Sequence, residues 1–175
     1  MDSHPRYNHT DANVLKRAIR RSAGWKPLSL FYARTLHYLD HAVFRLTRGR
    51  VTFTSWLAGL PVAWLTTTGA KSGAERTSPV VAIPAGDGRL IVIASNYGQE
   101  KNPSWYHNLR KHPQVRIAFD GPEQPMLARE LEDEERDHWY ERGIEIYPGW
   151  VQYRKRAPRR IPVIELVTIP GNDPA

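Results

Sequence analysis

Hydrophobic and polar positions follow a helical period near the start of the chain. Between residues 29 and 48, apolar side chains recur at steps of four and three, at Tyr32, Leu36, Leu39, Val43 and Leu46. Polar side chains follow the same steps on the opposite side, at Arg34, His37, His41, Arg45 and Arg48. Such spacing predicts an amphipathic helix, with Ser29 as its N-cap and an end near Gly49.

After Arg50 the apolar runs become short and are separated by turn residues. They predict six strands, at residues 62–67, 76–83, 89–94, 115–119, 126–131 and 161–167. Gly86-Asp87-Gly88 and Asp120-Gly121-Pro122 predict hairpins between neighbouring strands. Two helices are expected, at residues 104–111 and from Asp133 to about residue 146.

These elements predict a mainly β fold with flanking helices. Closure of six antiparallel strands into a barrel leaves no exposed sheet edge, so we expect a small antiparallel barrel. A chain of 175 residues has room for one such domain and an arm. We divide it into a basic amphipathic helical arm, residues 1–50, and a barrel domain, residues 51–175.

Composition excludes several kinds of chemistry. The chain has no cysteine, which removes disulfides, iron–sulfur ligation, thiolate zinc sites and thiol nucleophiles, and fits a reducing cytoplasm. It has no H-E-x-x-H or G-x-S-x-G motif, and the His37/His41 pair lacks an accompanying glutamate, so we expect no metal. Its opening residues contain no apolar segment typical of a signal peptide.

The net charge of +7 lies entirely in the arm. Residues 1–50 hold ten Lys and Arg against three Asp and Glu, and residues 51–175 hold fifteen of each. One interpretation is a surface helix with a solvated basic face. The other is a helix lying on anionic lipid, which the preceding Lys16, Arg17, Arg20 and Arg21 favour. We therefore expect a cytoplasmic protein, peripheral on the cytoplasmic membrane face, and do not expect nucleic acid as its partner.

A glycine-bracketed turn follows the first predicted strand. Residues 69–76, Gly-Ala-Lys-Ser-Gly-Ala-Glu-Arg, combine small residues that expose backbone N–H groups with two cations five positions apart. These groups could bind a phosphate. The alternative is an ordinary basic turn between two strands.

Three linked motifs occur in order along the chain. T-T-x-G-x-K-S-G-x-x-R ends at Arg76, A-S-x-x-G begins at Ala94, and N-P-x-W-Y-x-N-L begins at Asn102. Together they closely resemble the deazaflavin-dependent nitroreductase family, which includes quinone reductases using coenzyme F420. The resemblance extends over roughly residues 62–167, through the Tyr147 to Tyr153 segment and the final I-P-V-I.

The resemblance implies a split β-barrel that binds F420, whose tail carries a phosphate and several glutamates. By position in the motifs, the implied cofactor-binding residues are Lys71, Ser72, Gly73, Arg76, Pro79, Ala94, Ser95, Asn96, Trp105 and Asn108. The implied catalytic residues are Ser95, Tyr147, Trp150 and Tyr153. Considered without the resemblance, Trp105 and Tyr106 would pack in the core as aromatic residues of a short helix.

The chain departs from the family pattern at two positions. Ala70 stands where many members carry arginine, and the basic run Arg154, Lys155, Arg156, Arg159 and Arg160 either offsets this loss or is solvated surface. Trp150 stands where nitroimidazole-activating members have the middle of three tyrosines. Because an indole N–H has no useful acidity near neutral pH, we expect poor nitroimidazole activation.

We therefore expect an F420H2-dependent reductase that passes a hydride to a quinone, an enone or a nitro compound. Ser95 and Tyr147 or Tyr153 are the candidate hydrogen-bond donors, and residues 147–153 are expected to form a lid that closes over ligand. For that segment the alternative is a helix end packed on the barrel. For the protein, the alternatives are an FMN-dependent split-barrel oxidoreductase or a non-catalytic barrel that binds membrane or nucleic acid.

Overall fold

A computed structural model describes residues 60–119 and 121–169. The predicted arm helix and the proposed domain boundary at residue 50 lie outside these residues. No helix in the two described ranges is long and apolar enough to cross a membrane.

Six antiparallel strands close into a barrel. Their bounds are β1, Val62–Thr68; β2, Glu75–Gly86; β3, Arg89–Ile93; β4, Gln114–Ala118; β5, Gln124–Leu131; and β6, Val163–Thr168. The strand order is β1-β2-β3-β6-β5-β4, and β4 pairs with β1 to complete the closure. Both predicted hairpins are present, β2–β3 and β4–β5. The structure therefore confirms the predicted six-stranded barrel.

Side chains that point alternately to the two faces of the strands form two hydrophobic cores. On β3, Leu90 and Val92 belong to the core inside the barrel, while Ile91 and Ile93 belong to a second core on its outer face. Because successive side chains of a strand point to opposite faces, a strand buried on both sides needs a cover over its outer face. Two helices provide this cover.

Among the described residues, three α-helices flank the barrel, one more than the two predicted for this part of the chain. The structure has α1, Ser104–Lys111; α2, Asp133–Ile146; and α3, Gly149–Arg156. The first two match their predicted bounds, whereas α3 was not predicted because Pro148-Gly149 is typical of a turn. Proline lacks an N–H, but the first residues of a helix have no intrahelical acceptor for one, so Pro148 can precede α3 directly. Residues of α2 and α3 form much of the outer core.

Candidate active site

The turn between β1 and β2 is held by its own backbone. Gly69 N–H donates to Ala74 O at 2.9 Å, and Gly73 N–H donates to Gly69 O at 2.8 Å. Lys71, Ser72 and Gly73 are exposed at its tip. Within the described ranges, the backbone N–H groups of Lys71 and Ser72 have no acceptor. The turn therefore presents free donors to solvent.

Asn108 ties helix α1 to this turn. Its Oδ1 accepts a hydrogen bond from Ala70 N–H at 2.9 Å, and its Nδ2 donates to Thr67 Oγ1 at 3.0 Å. The side chain is only 8% exposed. Both ends of the amide thus contact the β1–β2 segment, which makes Asn108 a positioning residue for the turn. A direct contact with a cofactor remains a prediction.

The cations of the turn lack acidic partners among the described residues. Glu75, the nearest acid in sequence, pairs with Arg116 at 2.7 Å, and this bond lowers the pKa of the Glu75 carboxyl. No described carboxylate lies within ion-pair distance of Lys71 or Arg76. The positive charge at the turn is therefore uncompensated within this part of the chain.

Lys111 adds a further cation at the turn, which the sequence reasoning missed. Its Nζ donates to Ala70 O at 2.7 Å, at the position where the family resemblance notes a missing arginine. Lys111 lies three residues after Asn108, and residues at this spacing share one face of a helix. That spacing is the signal from which Lys111 could have been found.

The loop after β3 adopts an unusual backbone. Ala94 is buried, and Asn96, Tyr97 and Gly98 have φ angles of 44°, 56° and 73°. Asn96 Nδ2 donates to Lys101 O at 2.8 Å, which closes the loop. The loop leads directly into α1, so the same helix connects it to the β1–β2 turn.

A hydrogen bond between α3 and this loop fixes the Ser95 side chain. Trp150 Nε1 donates to Ser95 Oγ at 3.1 Å, across 55 residues of sequence. Because an indole N–H can only donate, Ser95 Oγ accepts this bond and its own O–H is left to donate elsewhere. The Ser95 hydroxyl therefore remains available as a hydrogen-bond donor.

The aromatic residues of the predicted lid are buried. Trp150 is 3% and Tyr153 2% exposed, and the hydroxyls of Tyr147 and Tyr153 lie 2.9 Å apart. Burial, together with the neighbouring Tyr147, raises the pKa of Tyr153 far above its ordinary value. The segment forms α3 packed on the barrel, as the packing alternative describes. The environment of Tyr153 therefore favours its neutral hydroxyl over a phenolate.

The other predicted site residues lie in or beside the barrel. Trp105 and Ala94 belong to the interior core, as does Tyr106. Pro79 is half-buried on β2, opposite Trp64 of β1. These side chains shape the barrel beneath the loop, and their contacts with a cofactor remain predictions.

The basic run after α3 is largely engaged within the protein. Arg154 pairs with Glu141, and Arg160 pairs with Asp137 at 3.3 Å. Arg156 lies over the Tyr153 ring, with its guanidinium carbon 5.3 Å from the ring centroid. Arg159 donates to backbone carbonyls of the loop after β3. Four of the five side chains therefore contact the domain, and within the described ranges only Lys155 of this run is an exposed cation without such a contact.

These groups fit a ligand with a polyanionic tail and a flat polar ring. The turn offers the uncompensated cations and unpaired N–H groups that a phosphate or glutamate needs. The Ser95 hydroxyl offers a donor that could meet a ring or an acceptor. Among the described residues, no group of three or more His, Asp or Glu could hold a metal ion.

Comparisons with known proteins show the family to which the chain belongs. The family model for F420H(2)-dependent quinone reductase matches residues 39–168. An F420H(2)-dependent quinone reductase of Mycobacterium tuberculosis is 33% identical over 132 residues, which cover 73% of this chain and 87% of that protein.

Two solved structures share the fold, and their sequence identity to this chain is similar to that of the Mycobacterium tuberculosis protein. A structure of an F420-H2 dependent reductase is 39% identical in sequence and has a TM-score of 0.55. The matched residues cover 61% of this chain and 93% of the chain in that structure. A structure described as a domain-swapped dimer is 34% identical in sequence and has a TM-score of 0.58. The matched residues cover 74% of this chain and 96% of the chain in that structure. The resemblance carried by the three sequence motifs is thus confirmed, and the chain belongs to the F420H(2)-dependent quinone reductase family.

Proposed function

We propose that this protein transfers a hydride from F420H2 to a quinone, with enones and nitro compounds as further acceptors. The observation that carries the proposal is the β1–β2 turn, where Lys71 and Arg76 lack acidic partners among the described residues. A cofactor whose tail carries a phosphate and glutamates supplies the missing negative charge. The family's F420H2-dependent reductases support the same cofactor here.

The bound cofactor would supply the hydride, and the protein would supply binding and orientation. Lys71, Arg76 and the turn N–H groups bind the anionic tail. Ser95, whose Oγ already accepts the Trp150 bond, donates its O–H toward the oxygen of the acceptor, where negative charge develops. Addition of one hydride and one proton converts a quinone to its hydroquinone.

Anaerobic kinetics test this function directly. With menadione as the acceptor, the protein should oxidise one F420H2 for each hydroquinone formed. Deuterium at the transferable position of F420H2 should slow single-turnover oxidation and appear in an enone product. Absence of turnover with every acceptor class, despite F420 binding, would contradict the proposed reaction.

Loss of Lys71 should weaken the cofactor site without unfolding the protein. A charge-assisted hydrogen bond contributes about 1.5–3 kcal/mol, so Lys71→Ala should weaken F420 binding about tenfold or more. The side chain is exposed and holds no described partner, so the thermal midpoint should change little. Fluorescence titration at low and high salt measures the effect, and Lys155→Ala, an exposed cation of α3, is the matched control. Equal F420 affinity in Lys71→Ala, Arg76→Ala and the parent would contradict the assignment of the tail site.

Loss of Asn108 should weaken the same site indirectly. Asn108→Ala removes both hydrogen bonds that tie α1 to the β1–β2 segment; Ala70 N–H loses its acceptor, and Thr67 Oγ1 keeps only its bond to Arg76 O. We expect about 1–3 kcal/mol lower stability and a weaker F420 complex. Urea unfolding and F420 titration of the same samples separate the two effects. An unchanged F420 affinity at a reduced stability would limit Asn108 to a role in folding.

We also propose that residues 1–50 place the enzyme on the cytoplasmic membrane face. The excess of seven positive charges in this segment supports the proposal, since basic residues near anionic lipid contribute up to about 1 kcal/mol each. A quinone whose tail resides in lipid would be accessible there. These residues lie outside the described part of the chain, so the proposal depends on their sequence alone.

Vesicle co-sedimentation tests the membrane proposal. The full chain should bind phosphatidylglycerol vesicles at low salt and dissociate at high salt, because the attraction is screened. A charge-reversed chain, with Lys16, Arg17, Arg20 and Arg21 changed to Glu, should bind weakly. Equal sedimentation of both chains would contradict the proposal, and tight binding to duplex DNA in the same buffer would favour a nucleic acid partner.

A further inference from the structure

A half-buried arginine binds both ends of the loop that follows β3. Arg159 Nε donates to Gln99 O at 3.2 Å. Its Nη2 contacts three further carbonyl oxygens, at 3.3, 3.2 and 3.3 Å, those of Ala94, Ser95 and Lys101. Because Nη2 carries two hydrogens, these three bonds are shared. One guanidinium therefore joins residues 94–95 to residues 99–101.

The charge of Arg159 does not serve an ion pair within the described ranges. Its neighbours Arg154 and Arg160 pair with acids, whereas no described carboxylate lies within ion-pair distance of Arg159. Burial lowers the pKa of its guanidinium, which reflects the cost of holding this charge beneath the loop. Carbonyl dipoles of the loop, rather than an acid, face the guanidinium.

The loop that Arg159 binds has an unfavourable backbone conformation and lies beside unpaired polar atoms. Asn96 and Tyr97 have left-handed backbone angles, which residues with a Cβ rarely adopt. Two buried polar atoms, Arg159 Nη1 and Asn102 Oδ1, lack hydrogen-bond partners among the described residues. Unfavourable backbone and unpaired polar groups concentrated in one segment are typical of functional sites.

We propose that Arg159 is a positioning residue of the active site, acting through the backbone of residues 94–101 on Ser95. Arg159 binds the Ser95 carbonyl and Trp150 binds the Ser95 hydroxyl oxygen, so both the backbone and the side chain of this residue are fixed. The Ser95 oxygen is thereby held in place, and its O–H remains available to donate to the ligand. The inference rests on the proposed function, in which this O–H faces the ring or its acceptor.

Arg159→Lys tests the proposal against a purely structural role. Lysine keeps the charge and the apolar stem, but it has one nitrogen in place of the Nε and Nη2 that together contact four carbonyl oxygens, so it cannot reproduce all four contacts. Arg136→Lys is the control, because Arg136, a buried arginine that also pairs with Asp137, likewise donates from Nε and Nη2 to a backbone carbonyl, that of Ile161. For parent and variants, the thermal midpoint, the F420 dissociation constant, and kcat and KM for menadione are measured.

We expect Arg159→Lys to weaken F420 binding about tenfold and to lower kcat more than it raises KM for menadione. Arg136→Lys should lower the thermal midpoint and leave F420 affinity unchanged. Parent-like F420 binding and kinetics in Arg159→Lys would overturn the positioning role alone. Loss of the fold in Arg159→Lys would also overturn it, by assigning Arg159 to stability. Failure of the parent to bind F420 would instead overturn the proposed function, and this inference with it.

Discussion

Trp150→Ala is expected to lower the free energy of unfolding by about 3–5 kcal/mol, the cost of removing a large aromatic side chain from a core. The ring is 3% exposed and lies edge-on to Tyr147, with centroids 5.5 Å apart. It also packs closely on Gly143, where an added Cβ would lie 2.8 Å from the ring. Urea unfolding followed by circular dichroism measures the loss. A change within about 0.5 kcal/mol, the usual range for surface substitutions, would contradict the burial of this ring.

Trp150→Phe separates the hydrogen bond from the packing. Phenylalanine keeps an aromatic ring in the outer core but removes the N–H that donates to Ser95 Oγ. The lost bond should cost about 1 kcal/mol of stability. Because the Ser95 hydroxyl is then free to rotate, menadione turnover should fall more than F420 affinity does. Equal loss of turnover and affinity would indicate that Trp150 supports the fold without directing Ser95.

Gly98→Ala is expected to be nearly as destabilising as Trp150→Ala, although it adds a single carbon. Gly98 has a φ of +73°, and an added Cβ would lie 2.9 Å from both the Cα and the carbonyl oxygen of Tyr153. The left-handed backbone costs about 1–2 kcal/mol and the clash with backbone about 1–3 kcal/mol more. The loop would move away from α3, so F420 affinity should fall together with stability.

Gly86→Ala is the matched control for Gly98→Ala. Gly86 has a similar φ of +80°, but an added Cβ would meet nothing within 4 Å. Gly86→Ala should therefore lower the free energy of unfolding by about 1–2 kcal/mol, from the backbone conformation alone, and leave F420 affinity unchanged. If the two variants are equally stable, the loop and α3 are not in the close contact that the structure describes.

The strands and hairpins could be predicted because their signals are local. Gly86-Asp87-Gly88 requires left-handed backbone, and Asp87 and Gly88 have φ angles of 51° and 71° between paired strands. Alternation then separates the two faces of β3, where Leu90 and Val92 face inward. Helix α1 could be predicted for the same reason, since Pro103 precedes it and Pro113 follows its end.

The remaining features depend on contacts between distant parts of the chain. In helix α3, Trp150 and Tyr153 are three residues apart, as on one face of a helix, but the preceding Pro148-Gly149 is typical of a turn, and these two side chains are buried in the outer core. The bond from Trp150 to Ser95 and the bonds from Arg159 to the loop join residues more than 50 positions apart. Sequence motifs could therefore predict Ser95 and Asn108 as site residues, but not the contacts of Asn108 with the β1–β2 segment or those of Arg159 with the loop after β3.

Fluorescence titration of the full chain with F420 and with FMN is the most direct test of the central claim. The site described here has uncompensated cations at the β1–β2 turn, which suit a tail with a phosphate and several glutamates better than a single phosphate. The account predicts saturable F420 binding that is tighter than FMN binding and that weakens in the Lys71→Ala, Arg76→Ala double variant. Tighter binding of FMN, or F420 binding that the double variant leaves unchanged, would contradict it.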